Sequence, residues 1–169
     1  RGQRFQRIFL IGIPTEITET YKKIARLADL KMVLLENESL ALIQSLLRFE
    51  PGLTIAIDLG GLNATILAVE DGVLKYLSQS DFGGIRLTQM IGRSLGLNLE
   101  RAEELKRRRG LSSGAELELS TALLPSLDVI IQEIKNVKNI YEKRYAKKAE
   151  KIVLAGAGAK LTGIHKYLG

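Results

Sequence analysis

The segment from Leu53 to Gln79 constrains the fold more than any other part of the chain. It reads as Leu53–Asp58, Gly60-Gly61, Ala64–Glu70, Asp71-Gly72 and Val73–Gln79. The three longer pieces are apolar and strand-sized, and the short ones between them are turn dipeptides. Asp-Gly between two such runs is a strong hairpin signal, because both central residues of a type I′ turn need positive φ. A parallel neighbour would need a crossover of about a dozen residues. The three strands therefore run antiparallel, as a meander.

Helical periodicity and further strand-like runs flank this meander. Arg4–Ile13 reads as a strand ending at Gly12-Ile13-Pro14. Thr15 then sits as an N-cap for a helix over Glu16–Ala28, with Ile17, Tyr21, Ile24 and Leu27 spaced as one stripe. Lys31–Leu35 reads as a short strand and Glu38–Phe49 as a second helix, a βαβ-like opening closed by the turn Glu50-Pro51-Gly52. Beyond Phe82-Gly83-Gly84 the spacing predicts helices over Leu87–Leu95 and Leu99–Arg109, ended by Gly96 and Gly110. Ala122–Ala146 is the longest expected helix. Its stripe is Leu123, Leu127, Ile130, Ile134, Val137, Tyr141 and Tyr145, with Pro125 tolerated in the first turn. Ile152–Ala155 is a last strand, followed by Gly156-Ala157-Gly158 and a helix over Leu161–Leu168.

Composition narrows the chemistry. The 169 residues, 46% of them apolar, are enough to bury a core in one domain or two small lobes. The chain has no cysteine, so disulfides, thiolate metal sites and a Cys nucleophile are excluded. A single histidine, His165, argues against a multi-His metal site or a Ser-His-Asp hydrolase and reads as a surface residue. The apolar runs Ile8–Pro14 and Thr54–Ile57 fall far short of the roughly 18 residues that cross a bilayer. No secretory signal opens the sequence and it does not begin with Met, which suggests a piece of a larger cytoplasmic protein.

The net charge of +6 is localised. Residues 135–169 hold nine basic and two acidic side chains, whereas residues 1–134 hold 16 basic and 17 acidic. Such a block suits an acidic partner or an anionic lipid surface. Arg107-Arg108-Arg109 closes a helix, where cations complement the dipole. Without the interleaved aromatics of single-strand binders, it does not indicate nucleic acid.

Three clusters can carry chemistry. Asp58-Leu59-Gly60-Gly61-Leu62-Asn63-Ala64-Thr65 places a carboxylate at a strand end beside glycines. That arrangement can order hydrated Mg²⁺ near a phosphate, with Thr65 adding a hydroxyl. Asp58 and Asn63 would equally satisfy the geometry of a plain hairpin turn. Ile152 to Gly163 is strand, glycine loop and helix start. It can lay an adenosine or phosphate against the backbone at Gly156, Ala157 and Gly158, or it can simply be a tight strand–helix turn. Glu103 and Lys106 share a helix face and could meet ribose hydroxyls and an adenine edge in a cleft, or form a solvated ion pair outside one.

In this order the pieces resemble the second half of the actin-like ATPases, a ribonuclease H-like α/β fold with a mixed sheet and a small helical subdomain. The Asp58 cluster looks like that superfamily's second phosphate motif and Leu154–Gly163 like its adenosine motif. Phe82-Gly83-Gly84 with Ala102-Glu103-Glu104-Leu105-Lys106 looks like the nucleotide-facing part of its smaller lobe. Within the superfamily the chain is similar to the PilM family of type IV pilus assembly proteins. The carriers are Ile13-Pro14-Thr15-Glu16-Ile17, Leu30 to Leu35, Glu36-Asn37-Glu38-Ser39-Leu40-Ala41 and the Asp58 motif. They continue through Ala102 to Lys106, Glu133-Ile134, Tyr141-Glu142, Arg144-Tyr145 and Leu154-Ala155-Gly156-Ala157-Gly158. Asn37 stands where the family commonly has Pro, and Leu62 is bulkier than the residues usual in the phosphate turn.

The resemblance implies ATP with Mg²⁺ as ligands. Asp58 would face the metal, and Gly60, Gly61, Asn63, Thr65, Gly83, Gly84, Glu103, Lys106, Gly156, Ala157 and Gly158 would contact the nucleotide. No residue is assigned as catalytic. The resemblance also implies subdomains: residues 1–35 as the end of an inserted subdomain and 36–50 as a helix of the first large one. Residues 51–80 with 148–169 would form the second large subdomain, and 81–147 the small helical one. A first phosphate motif, another Asp-Gly hairpin, would lie upstream. The 169 residues alone are therefore expected to bind ATP weakly or not at all and not to hydrolyse it. Implied partners are a PilN-like inner-membrane pilus protein, the pilus motor ATPases and further copies of the protein itself, with a cytoplasmic location at the inner membrane. An FtsA-type division filament, a chaperone-type ATPase and a degenerate scaffold without nucleotide are the alternatives.

Overall fold

The computed structural model describes residues 8, 10–111 and 117–168. They form two compact units that divide between Asn37 and Glu38.

In the first unit, α1 (Thr15–Leu27) starts from Pro14, whose φ of −56° suits a helix entry. The Pro14 carbonyl accepts from the Ile17 N–H at 3.0 Å. Thr15 is therefore a helical residue and not the expected cap, and no side chain caps this end. The Thr18 hydroxyl instead donates to the Thr15 carbonyl. The helix ends through Asp29 in the left-handed region, with Leu30 N–H donating to the Ala25 carbonyl at 2.8 Å. Ile17, Tyr21 and Ile24 follow one side of α1, as their spacing predicts, and all three are exposed.

Neither strand expected in this unit is found among the described residues. Ile8, Leu10–Ile13 and Lys31–Leu35 have no strand structure, and the rest of the expected Arg4–Ile13 strand lies outside the described residues. Val33 and Leu34 are 87% and 76% exposed. Apolar composition favours strands only where a neighbouring strand completes the ladder and a face is buried, and neither condition holds here.

The second unit is a four-stranded sheet with helices on both faces. It opens with α2 (Glu38–Leu46), which stops short of the expected Phe49 because residues 47–49 turn into Glu50-Pro51. The strands are β1 (Leu53–Leu59), β2 (Ala64–Glu70), β3 (Val73–Ser80) and β4 (Lys151–Ala155), in the order β3-β2-β1-β4. The expected meander is present: β1 pairs antiparallel with β2, and β2 antiparallel with β3. Asp71 and Gly72 both take positive φ, 52° and 73°, at the β2–β3 turn. β4 adds parallel to β1, opposing Ile57 with Leu154 and Asp58 with Ala155. β1 and β2 are buried on both faces, which is why they read as apolar runs without alternation, whereas the edge strand β3 is half-exposed.

One face of the sheet packs under three helices. They are α3 (Gly84–Leu95), α4 (Leu99–Arg109) and α5 (Leu117–Tyr145). Ile55, Ile57, Ile66 and Ala68 meet Leu87 and Ile91 of α3 and the α5 stripe Leu123, Leu127, Ile130, Ile134, Val137 and Tyr141. Of the expected α5 stripe only Tyr145 is exposed. On the opposite face, Ala56, Leu67 and Val69 pack with Ile43 and Leu47. The caps follow the sequence: Gly96 is left-handed at φ 62°, and the Asn98 side chain accepts from the Arg101 N–H at the start of α4.

Two helical expectations are corrected. α5 begins before Ala122, so Pro125 lies inside it and not in its first turn. An interior proline costs about 3 kcal/mol, and burying each large apolar side chain returns roughly 1.5–3 kcal/mol. Leu119, Leu123, Leu127 and Ile130 are all buried around it, so packing outweighs the lost hydrogen bond. The expected helix over Leu161–Leu168 is broken by Gly163, which takes φ 84°. Only a short α6, Ile164–Leu168, forms within it, and a 3₁₀ turn, Ala157–Lys160, precedes it.

Candidate functional site

The glycines after β1 and β4 lie side by side because those two strands are parallel neighbours. At the end of β1, Asp58 is flanked by Thr65 on β2 and Ala155 on β4. The chain leaves β4 through Gly156 at φ 78°, and a Cβ there would stand 2.3 Å from Asp58 Oδ1 and 2.6 Å from the Leu59 carbonyl oxygen. Gly158 lies equally close, its missing Cβ 2.6 Å from the Leu59 Cβ. Both positions require glycine on grounds of space, and Gly156 also on grounds of conformation.

The β1–β2 turn carries the start of α3. Gly60 N–H donates to the Asn63 carbonyl at 2.9 Å, closing the turn. Gly84 N–H then donates to the Gly60 carbonyl at 3.0 Å and Ile85 N–H to the Gly61 carbonyl at 2.9 Å. Gly83 makes this approach possible, since a Cβ there would lie 2.4 Å from the Gly61 carbonyl oxygen. The first amides of α3 are thus spent on the hairpin and not offered to a ligand.

On the far side, α4 faces α3 through a charged network. Lys106 Nζ donates to the Gly84 carbonyl at 2.8 Å and to Thr88 Oγ1 at 2.7 Å, and pairs with Glu103 Oε2 at 2.6 Å. Thr88, which is buried, donates to the same carboxylate, and Arg107 Nε donates to Glu103 Oε1 at 2.8 Å. Partial burial pushes the Glu103 carboxyl upward. The hydrogen bonds from Lys106, Thr88 and Arg107 outweigh that and hold it down at about 2.

Between these walls lies a cleft of about 610 Å³. Seven sequence-predicted residues line it: Gly60, Gly61, Gly84, Glu103, Lys106, Ala157 and Gly158. Five do not. Gly156 packs against Asp58 and Leu59 where the loop leaves β4, Gly83 is packed under the hairpin, Asn63 closes the turn, and Thr65 is buried opposite Asp58. Sequence reasoning missed Ile85, Leu87, Arg107, Lys160 and Leu161, which complete the lining. Two of these had a signal: Arg107 is four residues from Glu103 on the same helix face, and Lys160 follows Gly158 by two. Leu62 is 76% exposed, so its bulk points into solvent and leaves the turn undistorted.

The lining carries three cationic side chains against one carboxylate, which favours an anionic ligand. Among the described residues no three His, Asp or Glu side chains gather to hold a metal ion. No helix among them is long and apolar enough to cross a membrane.

The fold has solved counterparts. The chain is similar to the structure of a PilM-PilN type IV pilus biogenesis complex, with TM-score 0.75 and 23% identity over 91% of this chain and 44% of that one. It is similar to the ethanolamine utilization protein EutJ from Carboxydothermus hydrogenoformans, with TM-score 0.68 and 24% identity over 87% of this chain and 52% of that one. MreB5 of Spiroplasma citri, solved with AMPPNP, matches with TM-score 0.67 and 18% identity over 92% and 57%. The chain thus spans about half the length of these structures, and its fold is that of the actin-like ATPases, as the motif order implied. Residues 14–169 match the sequence family described as type IV pilus assembly protein PilM, and the chain belongs to that family.

Proposed function

We propose that this chain forms the ATP-facing part of a cytoplasmic actin-like scaffold at the inner-membrane assembly platform of a type IV pilus or a related secretion system. The observation that carries the reading is the convergence of Gly60-Gly61, Glu103-Lys106 and Ala157-Gly158 on one cationic cleft. A flat adenosine suits the Ala157-Gly158 loop, its ribose hydroxyls suit Glu103 and Lys106, and phosphate charge suits Lys160. Proteins of the same fold have been solved with AMPPNP and with ADP, which supports a nucleotide as the occupant. Asp58 does not line the cleft, so Mg²⁺ would be held by the phosphates, where it would neutralise their charge, and would reach Asp58 through water. A single protein carboxylate suits that water- and phosphate-rich coordination.

By the same reading, residues 1–35 belong to an inserted subdomain and 36–50 to the first large one. Residues 51–80 and 148–169 belong to the second large subdomain, and 81–147 to the small helical one. The full protein would grip the cytoplasmic segment of a PilN-like protein, a partner supported by the likeness to the PilM-PilN complex. It would connect that segment to the pilus motor ATPases. Nucleotide would shift conformation more than supply fuel. Family membership favours this over a division filament of FtsA type.

The test is occlusion of the cleft. Ala157 is exposed on its rim, so Ala157→Phe adds bulk to the opening and not to the core. In the full-length protein, a fluorescent ATP analogue should bind the wild type and lose at least about tenfold in affinity in Ala157→Phe. Binding of a PilN-like peptide, followed by anisotropy, should persist in the nucleotide-free protein. Equal nucleotide affinity in both proteins would place the ligand elsewhere.

A further inference from the structure

The sheet has an uncovered edge away from the cleft. In the order β3-β2-β1-β4, β3 pairs on one side only among the described residues, with β2. Every second residue of such a strand turns its N–H and C=O outward, a template for a further strand, and folded proteins commonly blunt the edge with a charge, a proline or a bulge. β3 carries such a device only near its start. Ala68 opposes Tyr76 and Val69 opposes Leu74, which leaves Lys75 as an extra residue between them. From Tyr76 to Ser80 the strand is regular, uncharged and free of proline. We propose that Tyr76–Ser80 is a strand-addition site for an extended, apolar segment of a partner protein with carboxylates at one end.

An added strand would find apolar ground on both sides. On one face of the sheet, Ser78 donates to Glu133 of α5, which fixes the flank of that helix that overlooks β3. Val129, four residues before Glu133, and Ile140, seven after, share that flank. They are 56% and 46% exposed. On the other face Leu77, which opposes Leu67, is 43% exposed. The helix lies along the strand, since Tyr141 reaches Glu70, which opposes Val73. Ile140 therefore stands toward the Val73 end and Val129 toward the Ser80 end.

Charge sets the two ends apart. At the Val73 end, Lys75 and Lys147 both pair with Glu70. Arg144, one turn beyond Ile140, meets the Tyr145 ring and, among the described residues, no carboxylate. Lys143 and Lys148 adjoin them in the chain. Against these cations stand Glu70 and Asp71, and Asp71 already accepts from the Gly52 N–H. At the other end Asp81 follows Ser80. A segment with its acidic end over Lys75 and Arg144 is attracted, and the reverse placement is not. The occupant is a peptide strand and not a lipid, because the free groups are a row of backbone donors and acceptors spaced for another strand. None of these residues lines the cleft, so strand addition stands apart from nucleotide binding.

The probe is a synthetic peptide of alternating Val and Thr ending in an Asp pair, made in two forms with that pair at either terminus. At about 0.5 mM, one form should slow amide exchange in residues 73–80 of the full-length protein at least about threefold. The form with Asp at its C-terminus would do so by antiparallel pairing, the other by parallel. Replacing a central Thr by Pro, or the Asp pair by Lys, should remove the protection. Ile140→Glu and Leu77→Lys, both at exposed positions, should each lower peptide affinity by at least about tenfold with the circular dichroism spectrum unchanged. Should Leu77→Lys fail to fold, Ile140→Glu carries the comparison. Unchanged exchange at 73–80 with both forms, or equal protection by the Lys peptide, would overturn strand addition at this edge.

Discussion

Three glycines in the second unit separate two physical costs that are usually entangled. Gly61 has an ordinary φ and open space where a Cβ would go. Gly96 also has open space, but its φ is 62°. Gly156 has φ 78° and a Cβ position 2.3 Å from Asp58 Oδ1 and 2.6 Å from a backbone carbonyl oxygen. Alanine at Gly61 therefore meets no clash and gains from a stiffer unfolded chain, stabilising by at most about 1 kcal/mol. Alanine at Gly96 meets only the left-handed penalty, about 1–2 kcal/mol. At Gly156 that penalty adds to an overpacking cost of about 1–3 kcal/mol, because the Leu59 carbonyl is backbone and cannot swing away. The expected order is Gly156→Ala worst by about 2–5 kcal/mol, then Gly96→Ala, then Gly61→Ala near neutral. Urea unfolding followed by far-UV circular dichroism reads all three, since the chain lacks tryptophan. If Gly156→Ala is no worse than Gly96→Ala, the close seating of the glycine loop on β1 is wrong, and with it the glycine wall of the cleft.

Two further outcomes are expected. The Glu103 carboxyl is held down from 4.5 to about 2, so the stability it contributes is full above about 4.5 and is lost as pH falls through about 2. The stability difference between wild type and Glu103→Gln should therefore shrink across that acid window and stay flat from about pH 5 to 8; a difference that changes near neutrality would contradict the network. Tyr141 is buried and its hydroxyl donates to Glu70 Oε2 at 2.9 Å, tying the end of α5 to the end of β2. Tyr141→Phe should cost about 1.5–3 kcal/mol in urea unfolding, the range for a bond to a charged acceptor, and no loss at all would show that Lys147 and Lys75 satisfy Glu70 unaided.

The sheet and the long helix were legible because their signals are local and redundant. Asp71-Gly72 demands a hairpin whatever surrounds it, and the stripe from Leu123 to Tyr141 points one way on any helix. The strands expected at Arg4–Ile13 and Lys31–Leu35 rested on apolar composition, which indicates a strand only once a neighbour exists to pair with it. Pro125 misled because the start of α5 is set by the burial of Leu119 beneath it, a tertiary fact that outweighs a helix-breaking residue. At the candidate site, residue types were readable but roles were not. Gly83 and Gly84 look alike in sequence, yet one is packed against the hairpin and the other lines the cleft. Lys106 reads as a cleft residue from its spacing to Glu103, but its bonds to Gly84 and Thr88 reach a helix some twenty residues earlier and have no sequence signal.

The parallel seating of β4 against β1 also bears on how the chain is made. β1 leaves the ribosome well before β4, with α3, α4 and α5 synthesised between them. Until Lys151–Ala155 emerges, one edge of β1 has open backbone donors and acceptors beside Ile55 and Ile57, and the helix that covers its face is also still incomplete. Long-range pairing of this kind is slow to close and exposes a template for wrong partners in the interval. The stretch of synthesis between Gln79 and Lys151 is therefore an interval in which this edge of β1 is open to wrong pairing.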